Sequence, residues 1–293
     1  MSVHAGIDPL AACANGRYLD ELVLVERGER RGLIARARPD GGVLVRHRLD
    51  PAELDDDLAD RLAVTLAPLT DDHEVFARAF TGIVLTSAPD PLIAWERFYR
   101  NSLARIDRRP GYSEIYRHAL ALLPTTTVLD IGAGFGFLSL HLAERGVEVI
   151  ACDVDPGTVR LVRTMSARLG RPREVLCCDG ASVPLPAECV DAVALLHVLE
   201  HLDHDAADAV LAEALRLARH RVVVAVPYEG VPNPLFGHVR GIICQDLADL
   251  GARSGWSFDV HDHYGGWLVL DRTHAPTRSS ARTVGPSKRR KSS

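Results

Sequence analysis

A chain of 293 residues, 47% hydrophobic and 25% charged, is long enough for one large domain and a smaller one, with the composition of a well-cored protein. Its formal net charge of -5 argues against a nucleic-acid partner, which calls for a basic face. No apolar run approaches the roughly 20 residues of a membrane helix, and MSVHAGIDPLAAC has no basic region ahead of an apolar core, so the expected address is the cytoplasm, with no membrane contact. Six cysteines (Cys13, Cys152, Cys177, Cys178, Cys189 and Cys244) form no C-x-x-C pair. Cys152, Cys177 and Cys189 lie in or beside apolar runs, so buried free thiols are expected rather than a disulfide framework.

Taken in chain order, residues 18–49 read as short β-branched strands broken by Gly28, Gly32 and the Pro39–Gly42 turn, which predicts a small meander. Asp50-Pro51-Ala52-Glu53 then opens a helix, with Asp as N-cap, Pro at the first helical position and Glu in the capping-box position. Asp55, Asp56 and Asp57 are expected to form a solvated first turn, since three adjacent carboxylates on a helix point three ways. Asp90-Pro91 starts another helix, whose Trp95, Phe98, Tyr99, Leu103 and Ile106 form one apolar stripe expected to pack on the following domain. Arg108–Gly111 interrupts the pattern, which resumes over 112–123.

From 125 to about 272 strand-like and amphipathic runs alternate. TTVLDI, VEVIACD, REVLCCD, VDAVALLH and RVVVAV are near-continuous apolar strands, as a parallel sheet covered on both faces requires. Helical patterns over 137–145, 156–170 and 205–218 separate them, with a short loop between the third and fourth. WSFDVHD and GWLVLD, divided only by Tyr264-Gly265-Gly266, predict a closing hairpin. The fold expected is therefore α/β: a doubly wound, mostly parallel seven-stranded sheet with a terminal antiparallel hairpin, behind a β-meander and helical N-terminal segment. The expected division is 1–120 for that segment, 121–274 for the sheet domain, and 275–293 for a basic tail too poor in apolar residues to fold.

The strongest signal is Asp130-Ile131-Gly132-Ala133-Gly134-Phe135-Gly136-Phe137, a buried strand entering a glycine-rich turn that opens a helix. A dinucleotide fingerprint would place its third glycine at position 137, where this chain has Phe, and a carboxylate at 130 would repel a pyrophosphate. Asp130 instead suits the ammonium of an amino-acid-like ligand. D-x-G-x-G-x-G after the first strand resembles the class I S-adenosylmethionine (SAM)-dependent methyltransferases, over about residues 125–272. The resemblance implies SAM as cofactor, held by Asp130, Gly132, Gly134 and Gly136. It also implies Asp153 at the second strand end for the ribose hydroxyls, and Asp179, Gly180 and Ala181 after the third strand for the adenine. LLHVLEHL, ending the fourth strand, resembles the segment that lines the methyl-transfer site, which places His197 beside the cofactor. Asp155-Pro156 reads as a helix cap instead.

His197-Val198-Leu199-Glu200-His201 also matches an inverted zinc-protease pattern, but that pattern belongs inside a long helix and here straddles a strand end. Removing the proton of an alcohol acceptor calls for a base near neutral pKa. His201 is the leading candidate for it, and His238, in the proline-rich loop 227–240, the second. His204 reads as a cap or surface residue. No spacing here demands a metal; a magnesium site drawing on Glu200, Asp203, Glu229, His261 and His263 is compatible with the sequence but not implied by it.

Residues 88–101 (APDPLIAWERFYRN), 237–240 (GHVR) and 265–272 (GGWLVLDR) together resemble the oligosaccharide O-methyltransferases of the mycofactocin system. The expected reaction is methyl transfer to a hydroxyl of a small molecule or a glycosylated substrate. Other O- or C-methylation of a small molecule, a non-catalytic SAM-binding protein and an NAD-dependent oxidoreductase are the alternatives.

Overall fold

The structure, a computed structural model, describes residues 6–13, 16–106, 112–124, 126–171 and 174–272. The basic tail expected over 275–293 lies outside the described residues.

The N-terminal sheet contains β1 (Arg17–Leu19), β2 (Val23–Arg27), β3 (Gly32–Ala37) and β4 (Val43–Arg48), in the order β1-β2-β4-β3. It is not a meander: β4 inserts between β2 and β3 and runs parallel to β2. The reason lies in the side chains. Val23, Val25, Val43 and Val45 alternate on one buried face, so the two most apolar strands sit together at the centre. β3, with exposed Ile34 and Arg36, takes the edge. The valine face packs on α2 (His73–Thr86), an almost wholly buried helix that the sequence reading had not singled out.

The helix expected at Asp50 is only one 3-10 turn, Pro51–Glu53, although its capping box forms. The first α-helix, α1 (Leu58–Leu66), begins after Asp57. Nor are the three aspartates a free solvated turn. Arg105 of α3 (Pro91–Ile106) reaches Asp55 at 2.9 Å and also pairs with Asp57, which anchors the segment to α3. All five residues of the α3 stripe are buried. α4 (Tyr112–Leu122) then leads into the large sheet.

That sheet comprises β5 (Thr127–Ile131), β6 (Glu148–Asp153), β7 (Glu174–Cys177), β8 (Val190–Leu196), β9 (Ala218–Val226), β10 (Ser257–Asp262) and β11 (Gly266–Asp271). The order is β10-β11-β9-β8-β5-β6-β7, and only the β11 pairings are antiparallel. α5 (Phe137–Glu144), α6 (Pro156–Arg168), α7 (His204–Leu217) and α8 (Cys244–Ser254) connect the strands. The chain leaves β5 toward β6 on one side and returns to β8 on the other, which opens a ligand crevice at the carboxyl end of β5. All six cysteines are free; Cys152 is buried, Cys189 half-buried, and Cys177 is exposed rather than buried, because β7 is the outer strand of the sheet. No helix among the described residues is long and apolar enough to cross a membrane.

Candidate active site

The crevice is built from the glycine loop outward. Gly132, Gly134 and Gly136 have φ of +68°, +53° and +72°, the left-handed region that other residues avoid. A Cβ on Gly132 would lie 2.7 Å from Val198 Cγ2, so this position is closed to side chains twice over. Gly136 is the N-cap of α5.

Asp130 sits beneath the loop, 3% exposed, and its Oδ2 accepts a hydrogen bond from Ser139 Oγ at 2.6 Å. Burial pushes its carboxyl up to about 6, against the stabilising Ser139 bond, and repulsion from Asp153 adds to the rise. Asp153, at the end of β6, accepts the Gly134 N–H on Oδ2 and the Asp155 N–H on Oδ1, both at 3.0 Å. It thus latches the glycine loop to the strand end, and its burial raises its pKa. Asp155 caps α6 by accepting the Thr158 N–H at 2.6 Å. Between these two acids, Val154 is 71% exposed, an apolar side chain left in solvent just past the end of β6 that the sequence reading passed over. Its position between a strand-end acid and a helix cap was the available signal.

Asp179 is exposed and fixes its own loop by accepting the Ala181 N–H at 2.8 Å. A Cβ on Gly180 would lie 2.8 Å from Ile131 Cγ2, so glycine lets this loop close onto β5. His197 holds a φ of +55° at the end of β8, a strained backbone for a residue with a side chain. Asp130, Gly132, Ala133, Phe135, Phe137, Leu196 and His197 line one cleft, together with Ile115 and Tyr116 of α4 and Asp56. Asp56 keeps some exposure at the cleft, and burial chiefly raises its pKa, with repulsion from Asp60 and Asp55 adding to the rise. An acid from the N-terminal segment therefore faces the same space as Asp130.

A second group of side chains adjoins this cleft through His197, whose Nδ1 lies 3.1 Å from Glu200 Oε1. Burial pushes the Glu200 carboxyl up, but the His197 contact and the nearby His201 outweigh it and leave its pKa lowered. The loop after β9 folds back over this region. Its 3-10 turn Pro234–Phe236 is capped by Asn233, and Val239 N–H donates to Glu200 O at 2.9 Å. Arg240 Nε donates to Leu199 O at 3.2 Å, with His204 Nδ1 2.9 Å from its Nη1. This brings His238 to His201, their rings 4.9 Å apart.

His201 Nδ1 lies 3.1 Å from Gly237 O, which makes it the N–H and leaves the lone pair on Nε2. His238 Nδ1 lies 2.7 Å from Glu229 Oε2 and has the same polarity. Although His201 reaches the surface, lost hydration of its ring pushes its pKa down to about 4, against the pull of Glu200. The two histidines singled out from sequence thus meet at one point. Asp203 and the C-terminal histidines do not join them. Asp203 caps α7 by accepting the Ala206 N–H, while His261 and His263 assemble with His118, whose Nε2 is 2.7 Å from His261 Nε2.

Residues 128–221 match the family described as "Methyltransferase domain". The chain is 32% identical over 93 residues to the biotin biosynthesis bifunctional protein BioHC of Cellvibrio japonicus, covering 32% of this chain and 18% of that protein. It is 34% identical over 86 residues to the demethylmenaquinone methyltransferase of Corynebacterium urealyticum, covering 29% and 35%. The matched region thus spans about a third or less of each of these relatives. Among solved structures, a SAM-dependent methyltransferase of Thermotoga maritima, described as a possible histamine N-methyltransferase, is 16% identical at a TM-score of 0.47 over 56% of this chain and 90% of its own.

Proposed function

We propose that this chain, whose residues 128–221 form a methyltransferase domain of the class I SAM-dependent superfamily, methylates a hydroxyl of a small molecule or sugar. SAM supplies a methyl group activated on a sulfonium. The cradle suits it: left-handed glycines leave no side chain between backbone and ligand, and a buried carboxyl awaits a cation. Asp130 takes the ammonium, with Asp56 contributing negative charge from across the cleft. Asp153 takes the ribose hydroxyls, Asp179, Gly180 and Ala181 border the adenine, and His197 lines the wall toward the acceptor.

The observation that carries the hydroxyl reading is the His238–Glu229 contact beside His201, one residue from the Glu200–His197 link to the cleft. An imidazole whose Nδ1–H is held by a carboxylate presents a basic Nε2, the logic of a base oriented by a third group. That support favours His238 over His201, whose Nδ1 rests on the Gly237 carbonyl instead of a carboxylate. The resemblance of residues 88–101, 237–240 and 265–272 to oligosaccharide methyltransferases selects a sugar hydroxyl, such as that of glycosylated mycofactocin, as the acceptor class to try first.

The test is calorimetric titration with SAM and S-adenosylhomocysteine, followed by S-adenosylhomocysteine release with a panel of glycosides. We expect binding of both ligands and release with a glycoside acceptor. His238→Ala should cut turnover by ~10²-fold or more with SAM affinity retained. SAM binding without release on any hydroxyl acceptor would leave a SAM-binding protein or a different acceptor atom.

A further inference from the structure

Where the loop after β9 (residues 227–240, the lid) meets the turn after β8, three atoms are arranged for a purpose that hydrogen bonding does not use. Glu200 is 1% exposed; its Oε1 meets His197, while Oε2 is buried and meets no donor among the described residues. An orphaned carboxylate oxygen in the interior is costly and calls for a partner. Beside it stand His201 and His238, and one ligand atom from each of Glu200, His201 and His238 lies within 4.8 Å of the others. Both imidazoles have Nδ1 engaged, on the Gly237 carbonyl and the Glu229 carboxylate, so both offer Nε2. A ligating histidine is commonly held in this way, with its second nitrogen donating to a carbonyl or carboxylate.

We propose that Glu200, His201 and His238 form a binding site for a divalent transition-metal ion. Two imidazoles and one carboxylate suit zinc, manganese, cobalt or iron(II) and leave coordination positions open; magnesium prefers oxygen donors. Bonds of about 2.0–2.2 Å separate neighbouring ligand atoms by roughly 3–3.5 Å, so the triad closes on an ion with side-chain shifts of about 1 Å. The lid supplies His238 and its Glu229 brace, and the Val239–Glu200 backbone bond ties the lid to the carboxylate's own segment. The site thus draws its ligands from two segments, the turn after β8 and the loop after β9. What the ion does rests on the methyl-transfer reading and modifies one part of it: an acceptor hydroxyl in an open position is acidified by the ion and gives its proton to solvent, and the His238 Nε2 that would take that proton in metal-free protein holds the ion instead.

Full-length protein, stripped with EDTA and freed of chelator, is titrated with Zn²⁺, and with Co²⁺ for its visible absorption; SAM affinity is measured on every sample. We expect a single equivalent of Zn²⁺ and Co²⁺ bands of nitrogen and oxygen coordination. His238→Gln and Glu200→Gln should weaken uptake by ~100-fold or more, and Glu229→Gln by about 10–100-fold, with SAM affinity kept within a few-fold. His118→Ala, at the other histidine cluster, should leave uptake unchanged. Folded, SAM-binding protein that takes up neither ion would overturn the site while leaving the methyltransferase reading intact. Uptake indifferent to Glu200 and His238 would overturn it equally. Uptake that depends on the triad in a chain that does not bind SAM would sustain the site and remove the role given to it.

Discussion

At the scale of single residues, the cleft works through misplaced charge. A carboxyl whose folded pKa exceeds its unfolded value takes up protons on folding, so Asp130 costs stability at neutral pH and that cost is relieved as pH falls from about 6 toward 4. A bound ammonium reverses the preference, because it needs the ionised form. SAM affinity should therefore hold above pH 7 and fall on acidification, to about tenfold weaker at pH 5, since each unit below the pKa of 6 costs a factor of ten. Near pH 6 binding should also release protons, read as a dependence of the calorimetric heat on buffer ionisation enthalpy. Asp130→Asn should bind SAM more weakly by about 1.5–3 kcal/mol and with a flatter pH profile, the remaining slope belonging to Asp56. A wild-type affinity constant from pH 5 to 8 would remove Asp130 from the ammonium site.

At the scale of elements, legibility followed the range of the signal. The glycine loop and the acids at the strand ends are local: Asp130, Gly132, Gly134 and Gly136 fall within seven residues, and the Asp155-Pro156 cap reads directly as the start of α6. The order of the N-terminal strands was not legible, because β2 and β4 are brought together by valines that meet only on α2. Asp56 was hidden for the same reason, since Arg105, some fifty residues on, decides where its neighbours point. The His238–Glu229 contact needed the lid to turn back at Asn233. His47 shows how such long-range packing titrates. Thr86 of α2 spends its hydroxyl hydrogen on Gly82 O and so accepts from His47 Nε2 of β4 at 2.7 Å, which places the hydrogen of the neutral ring on Nε2. Burial, helped by Arg27, pushes His47 down to about 4. The unfolded chain binds this proton first, so stability present above pH 6.5 is lost as pH falls toward 4. Wild-type protein should lose about 3 kcal/mol more than His47→Gln between pH 7 and 4, measured by urea unfolding at each pH. Parallel pH profiles for the two proteins would show that the β4–α2 contact carries no titrating imidazole.

At the scale of the whole molecule, the N-terminal segment and the methyltransferase region share one core. Phe135 and Phe137 of the glycine loop pack into rings from α2 and α3: Phe80 to Phe135 at 5.8 Å, Phe98 to Phe135 at 5.3 Å, and Tyr99 to Phe137 at 5.4 Å between centroids. The glycine loop is therefore braced from behind by the N-terminal segment, which also sets Asp56 over the cleft. A chain beginning at residue 121 would bare Phe135, Phe137, Leu138 and Leu140, all buried in the intact molecule. At about 1.5–3 kcal/mol for each such side chain, the loss equals a large share of the roughly 5–15 kcal/mol that holds a domain folded. The shortened chain should be insoluble, or compact without fixed packing, with its near-ultraviolet circular dichroism lost and no SAM binding. Joining it to residues 1–120 supplied as a separate chain should restore both signals if the shared core is what holds the loop. A shortened chain that unfolds cooperatively and binds SAM with wild-type affinity would make the N-terminal segment an independent domain, and the aromatic contacts an interface rather than a core.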